Sequence, residues 1–159
     1  MNVRLHHRRF ARRFGRDRRG AAQIEFVLSI LTVMFVLFGI WECVMVVYTL
    51  NVLSDAAKEG VRYAIVHGSR SVIPSGPGNT AAVESVVRDW AKASFRDVSS
   101  TTMTVTVSYL YTDPVTRVQT VENIPGSIVT VNVSCQFLPY TAVPIKPILN
   151  TVSAGVITF

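Results

Sequence analysis

A glycine followed by a lone acidic residue at the start of an apolar segment is the pattern with the clearest chemical meaning in this sequence. Gly20 ends a run rich in arginine, and Glu25 is the fifth residue after it, directly followed by Phe26. A carboxylate at the head of a membrane helix is costly and therefore indicates a functional site. Gly20, next to Ala21, offers a protease a small, permissive site. Together these features indicate a chain that is inserted in a membrane, trimmed on its cytoplasmic side and then assembled.

The apolar segment that follows is long enough to cross a bilayer. Phe26 to Trp41 carries no charge, and the run extends to Leu50 with Glu42 as its one charged residue. At about 1.5 Å per residue the two lengths are roughly 24 Å and roughly 37 Å, against a hydrocarbon core of about 30 Å. We predict a transmembrane helix over 21–50. A secretory signal peptide is the alternative, but its apolar core is only about 7–15 residues long and a small-residue cleavage site follows it.

The net charge of +6 comes from the N-terminal end of the chain. Residues 1–20 contain eight arginines and one aspartate, a net charge of +7, whereas 21–159 contain eight basic and nine acidic residues, a net charge of −1. Nucleic-acid binding needs a basic surface on the folded domain, so no nucleic-acid partner is expected. Arginines beside a membrane helix mark its cytoplasmic side. We predict that 1–20 is a basic cytoplasmic leader and that the chain after residue 50 lies outside the cytoplasm.

Residues 51–159 are predicted to form one α+β domain that begins as a continuation of the membrane helix. No proline interrupts this continuation before Gly68, which marks its end at about residue 68. Ala56, Gly60 and Ala64 recur every four positions and therefore share one face. Small residues at this spacing fit close packing against another helix or against the chain's own domain.

Amphipathic and alternating patterns fill the rest of the domain. A second helix is predicted over 81–97, capped by Thr80, with an apolar face formed by Val83, Val87, Trp90, Ala91 and Ser94. Period-two alternation predicts strands over 102–111 and 128–137, with a weaker strand over 116–122 and a last one over 150–159. The predicted fold class is α+β: a long N-terminal transmembrane helix, one covering amphipathic helix, and a three- to four-stranded antiparallel sheet arranged as a meander.

These features resemble the TadE-like minor pilins and pseudopilins of Tad (tight adherence) type IV pilus-like systems. The resemblance rests on the Gly-x4-Glu-Phe pattern after a basic leader and on residues 55–64, Asp-Ala-Ala-Lys-Glu-Gly-Val-Arg-Tyr-Ala. It implies a pilin-like architecture, a processing site at Gly20 and Ala21, and recognition and assembly through Glu25 and Phe26. The implied partners are a prepilin peptidase, other Tad pilins, inner-membrane assembly proteins and membrane lipid.

Cleavage after Gly20 would create an α-amine on Ala21. A paired carboxylate is far less costly in hydrocarbon than a free one. Glu25 is therefore expected to meet this amine in its own or a neighbouring subunit. The alternative is that Glu25 lies at the level of the lipid headgroups, in reach of water.

The resemblance implies a structural role in assembly of a Tad-type pilus, as a single-pass protein of the bacterial inner membrane. The major pilins of such systems are far shorter and lack a globular domain, which indicates a minor component. No enzyme activity, metal or cofactor is expected, because His67 is the one histidine after residue 20 and no set of ligands accompanies it. Cys43 and Cys135 are expected to be small buried hydrophobic residues.

Two other interpretations fit the sequence. One is a bitopic membrane-anchored module that binds a ligand or a surface and is not processed. The other is a pseudopilin of a different secretion branch.

Overall fold

The computed structural model describes residues 18–92, 103–140 and 146–158. Its elements are α1 (Arg18–Val66), α2 (Ala81–Lys92), β1 (Met103–Thr112), β2 (Gln119–Thr120), β3 (Ile128–Gln136) and β4 (Ile148–Val156). The chain divides into two compact units, one up to Gly39 and one from Ile40 onward. The predicted α+β class with a long N-terminal helix is confirmed. Most of the predicted leader and the predicted end of the second helix beyond Lys92 lie outside the described residues.

The first unit, as far as it is described, is the apolar part of α1. Every side chain from Ala21 to Gly39 is exposed, with Phe35 at 77%. An apolar helix with no protein around it needs lipid or other apolar helices as its surroundings. By length and composition, α1 is the one candidate membrane span among the described residues, so it fits a membrane anchor.

The second unit contains a sheet of order β2-β1-β3-β4, and each neighbouring pair is antiparallel. The predicted antiparallel pairing is confirmed, but the predicted meander is wrong because β3 pairs with β1 instead of β2. The cause is the shortness of β2, whose two residues pair only with Tyr111 and Thr112 at the end of β1 and offer β3 too short an edge. On its other edge, β1 pairs with β3 at eight positions from Met103 to Leu110. The last strand begins at Ile148, two residues earlier than predicted.

The helices of the second unit cover one face of the sheet. The predicted inward residues of β1 and β3 are buried or half-buried: Met103, Val105, Val107, Tyr109, Tyr111, Val129, Val131, Val133 and Cys135. From α1 the core receives Leu53, Ala56, Ala57, Val61 and Ala64. These contacts place the hydrophobic core between the helices and the sheet.

Helix α2 buries a narrower face than predicted. Val83, Val87 and Ala91 are buried, but Trp90 lies at the edge of this face and is 51% exposed. Thr80 directly precedes the helix, as predicted for its cap. Its carbonyl accepts the Glu84 N–H, and its hydroxyl donates to Glu84 Oε1 at 3.1 Å.

The two cysteines have different surroundings, and both are free thiols. Cys135 is buried on the inner face of β3, as predicted. Cys43 is exposed, so the prediction of a buried residue is wrong there. The reason is its position on α1, since burial of the helix begins only at Met45.

Candidate processing and assembly segment

The predicted processing site lies close to the start of the described part of α1. The described helix includes Arg18, so the peptide bond between Gly20 and Ala21 is helical. Glycine costs a helix about 1 kcal/mol relative to alanine. Gly20 therefore makes the helical form of this bond less favourable than alanine would.

The fold itself does not require a glycine at position 20. A Cβ on Gly20 would meet no atom within 4 Å among the described residues. Gly60 differs, because its surroundings leave no room for a side chain. The small size of residue 20 is thus unexplained by packing and is available for recognition.

A strip of small and polar residues runs along one side of the exposed helix. Ala21, Glu25, Ser29 and Thr32 share this side with Leu28. Residues four apart on a helix have Cβ atoms about 5–6 Å from one another, so Ala21 and Glu25 are direct neighbours. The Thr32 hydroxyl donates to the Leu28 carbonyl at 2.9 Å and is satisfied within the helix. Glu25 is therefore the one charged group on this strip.

Phe26 is not on the strip that carries Glu25. Consecutive helical residues lie about 100° apart around the axis, and Phe26 is 68% exposed. The predicted acidic–aromatic pair is therefore adjacent in sequence but presents its two side chains to different directions. Glu25 can face one neighbour while Phe26 faces another.

Ala56, Gly60 and Ala64 are buried within the second unit. A Cβ on Gly60 would overlap Val87 of α2 and would lie 3.6 Å from Val131 Cγ1 of β3. Of the two alternatives that the sequence allows for this small-residue face, the structure shows contact with the chain's own domain.

A buried polar cluster that the sequence did not reveal fastens the loop after α1. The N–H and hydroxyl of Ser75 both donate to the His67 carbonyl, at 2.7 and 3.0 Å. Asn123 Nδ2 donates to the Ser75 carbonyl, and the Tyr109 hydroxyl donates to Ser75 Oγ at 3.4 Å. Burial raises the pKa of Tyr109, and the hydrogen bond with Ser75 partly offsets this. A proline before Ser75 and a glycine after it signal a loop but not its burial.

His67 has a structural role at the end of α1. Its Nδ1 lies 2.9 Å from the Tyr63 carbonyl, and its ring stacks on Tyr63 with a centroid separation of 3.9 Å. Within the described ranges, no three His, Cys, Asp or Glu side chains lie together as a metal ion would require. Neither the helix end nor the sheet supplies a ligand set in this part of the chain.

Asp113 forms the turn between β1 and β2. Its Oδ1 accepts the N–H groups of Val115 and Thr116 at 2.7 and 3.1 Å. These hydrogen bonds favour the ionised form and lower the pKa of Asp113, with Thr116 as the larger contributor. Arg117 completes the turn with a positive φ of 60°. The role of this carboxylate is local geometry.

Residues 20–62 match the model of a family described as TadE-like protein. The matched stretch begins at Gly20, contains Glu25 and Phe26, and lies wholly within α1. No curated protein and no solved structure matches the chain. The predicted resemblance is therefore confirmed over residues 20–62, where the chain is similar to the TadE-like family.

Proposed function

We propose that this chain is a minor pilin or pseudopilin of a Tad-type system, anchored in the bacterial inner membrane by α1, with its sheet domain outside the cytoplasm. The observation that carries this proposal is the TadE-like match over 20–62, which coincides with an apolar helix whose side chains are exposed from Ala21 to Gly39. Pilin-like families are structural, and the folded sheet domain supports a minor component. The arginines before residue 20 favour a cytoplasmic N-terminus.

The first event in this function is hydrolysis of the bond between Gly20 and Ala21 by a prepilin peptidase. Water adds across the amide, leaving a carboxylate on Gly20 and an α-amine on Ala21. Gly20 supports this position, because it disfavours the helical form of the bond and makes no packing contact that a side chain would disturb. Cleavage removes the leader and its net charge of +7 from the end of the membrane helix.

The second event is lateral assembly through the exposed part of α1. Small residues let helices approach closely in lipid, and polar groups join them. The strip with Ala21, Glu25 and Ser29 supplies both. Once Ala21 carries a charged amine, Glu25 has a partner of opposite charge in its own or a neighbouring subunit. Assembly with other Tad pilins then depends on processing, because an unpaired carboxylate in hydrocarbon is costly.

The test is the intact mass of the membrane-bound protein, with and without a co-expressed prepilin peptidase. We expect a peptidase-dependent chain that begins at Ala21. Gly20→Val should block the cleavage, whereas Gly39→Val, at a position with equally open surroundings on the same helix, should not. An intact leader in all samples would contradict the proposal and would leave the unprocessed membrane-anchored binding module as the better interpretation.

A further inference from the structure

Near the start of the second unit, two sides of α1 differ in where their surroundings change. One side stays exposed and turns from apolar to polar, whereas the other becomes buried against protein at an earlier residue. The outward side is apolar at Ile40, Val44 and Val47, and its first polar residue is Asn51, followed by Asp55. Apolar side chains that remain exposed up to Val47 indicate that lipid continues to about this level.

The opposite side of α1 is already covered by protein at that level. Met45 and Thr49 are buried, and the Thr49 hydroxyl donates to the Met45 carbonyl at 2.8 Å. Burial on this side begins at Met45, about six residues before Asn51, the first polar residue of the outward side. This separation is about 9 Å along the helix axis. The headgroup layer on each side of a bilayer is about 5–8 Å thick. One end of the sheet domain therefore lies at the same height as the headgroup layer.

Two close contacts identify which end of the sheet this is. A Cβ on Gly60 would lie 3.6 Å from Val131 Cγ1, and a Cβ on Gly155 would lie 2.7 Å from Ile65 Cδ1 and 2.8 Å from Val61 Cγ1. Gly155 pairs with Val129, so β3 runs from the level of Val61 and Ile65 back toward the N-terminus of α1.

Strand geometry extends this alignment to the end of β3. From Val131 to Gln136 the strand advances about 17 Å, at roughly 3.3 Å per residue. This equals about 11 helical residues and brings Gln136 to the level of Thr49. Ile148 is the partner of Gln136 in β4. The end of β3 and the start of β4 therefore lie near the level where the outward side of α1 changes from the apolar Val47 to the polar Asn51.

The chemistry of this end fits a lipid headgroup layer. Ile148 is 74% exposed, Tyr140 is partly exposed, and Lys146 is exposed. The segments 136–140 and 146–150 contain no acidic residue. Tyrosine is enriched at the membrane–water interface, and lysine there reaches toward phosphate groups.

We propose that this end of the sheet, residues 137–140 and 146–148, is a lipid-contacting surface that rests in the headgroup layer of the bilayer crossed by α1. The proposal rests on the membrane anchorage proposed above. Ile148 lies at the boundary between headgroups and acyl chains, and Lys146 is directed to the lipid phosphates. The contact fixes the height of the sheet domain above the membrane.

The test is the depth of a spin label on the full chain in nanodiscs of phosphatidylethanolamine and phosphatidylglycerol. The label is placed by Ile148→Cys in a background with Cys43→Ala and Cys135→Ala. Val72→Cys, which replaces a 99% exposed valine in the loop beyond the other end of α1, is the water-exposed control. Phe35→Cys is the control for the membrane helix. Collisions with a water-soluble nickel chelate and with oxygen, which concentrates in lipid, report the depth.

We expect the label at 148 to collide with the chelate several-fold less than the label at 72. Its oxygen collisions should lie between those of the labels at 72 and 35. Lys146→Glu should raise chelate access at 148 in these anionic discs. Equal chelate access at 148 and 72 would overturn the proposal while leaving the anchor intact, whereas a water-exposed label at 35 would overturn the anchor itself. Protection at 148 that disappears when each nanodisc holds a single chain would assign the surface to a second copy and overturn the lipid contact.

Discussion

Gly60 of α1 and Val87 of α2 are in such close contact that a Cβ on residue 60 would overlap the Val87 Cγ2 methyl group. Val87 is fully buried, and Val83 of α2 and Val131 of β3 would also lie within 3.6 Å of this Cβ. A buried valine has little rotamer freedom with which to move aside. This pair therefore sets the distance between the two helices and fixes how they lie on the sheet.

Gly60→Ala should destabilise the second unit. Overpacking of a core costs about 1–3 kcal/mol, whereas alanine in place of helical glycine returns only about 0.5–1 kcal/mol. We expect a net loss of about 1–2 kcal/mol in the free energy of unfolding, read from urea denaturation of the detergent-solubilised chain. Gly39→Ala in the same helix is the matched control. A Cβ there meets nothing within 4 Å, so its unfolding free energy should stay unchanged or rise slightly. Equal stability of the two variants would show that the core yields at Val87.

The periodicity of the sequence predicts the elements of this fold better than it predicts their pairing. Alternation identifies the inward residues of β1 and β3 correctly, because burial of one face imposes a period of two. Pairing depends on β2, whose two hydrogen-bonded residues carry no distinctive signal. The contact of Gly155 with Val61 and Ile65 is also not predictable from the sequence, because it joins elements about 90 residues apart.

The Tyr109→Phe variant should lose less stability at alkaline pH than the native chain does. The pKa of Tyr109 is raised by burial, so the folded state favours the neutral phenol. The stabilisation from this buried neutral phenol is fully present below the tyrosine pKa of the unfolded state, about 10. It is lost as the pH rises through the pKa of the folded state. We expect unfolding midpoints of the native chain to fall above about pH 10 and those of the variant to fall less. In the variant, absorbance titration of phenolate formation at 295 nm should show one fewer tyrosine ionising at the highest pH values.

Tyr111→Phe is the matched control for this titration, because Tyr111 is half-buried on the same strand. The alkaline stability profile of Tyr109→Phe is compared with that of this variant. An unchanged alkaline profile in Tyr109→Phe would show that burial of Tyr109 does not contribute to it.

Asp113→Ala should loosen the β1–β2 turn, and Asp113→Asn should preserve most of it. The Asp113 carboxylate accepts two N–H groups, and an asparagine side-chain oxygen can accept the same bonds. The pKa of Asp113 is lowered by them, so its contribution is present above the unfolded value of about 3.9 and is lost as the pH falls through the folded pKa. Carboxyl chemical shifts followed by NMR should titrate below that value. A normal titration of Asp113 would mean that the turn forms without these bonds.

The similarity to the TadE-like family around Gly20 was predictable from the sequence, but the conformation of this segment was not. The glycine, the acidic residue and the basic run stand together in the sequence, and the TadE-like match begins at the same Gly20. The sequence predicts a helix from residue 21, whereas α1 already includes Arg18. Cleavage at the proposed position would therefore require local unwinding of this helix. The polar cluster around Ser75 was not predictable, because its partners Asn123 and Tyr109 are distant in sequence and meet only in the fold.

Glu25→Gln should preserve insertion and processing but impair assembly. Glutamine keeps the size and hydrogen bonding of the side chain and removes the charge that the Ala21 amine would pair with. We expect normal carbonate-resistant membrane association, an unchanged mass of the processed chain, and several-fold less protein in the sheared filament fraction of cells that carry the complete assembly system. Thr32→Val is the control on the same strip. Its hydroxyl is bonded within the helix, so its loss should leave assembly close to normal. Normal assembly of Glu25→Gln would show that the carboxylate lies in reach of water and that the amine has another partner.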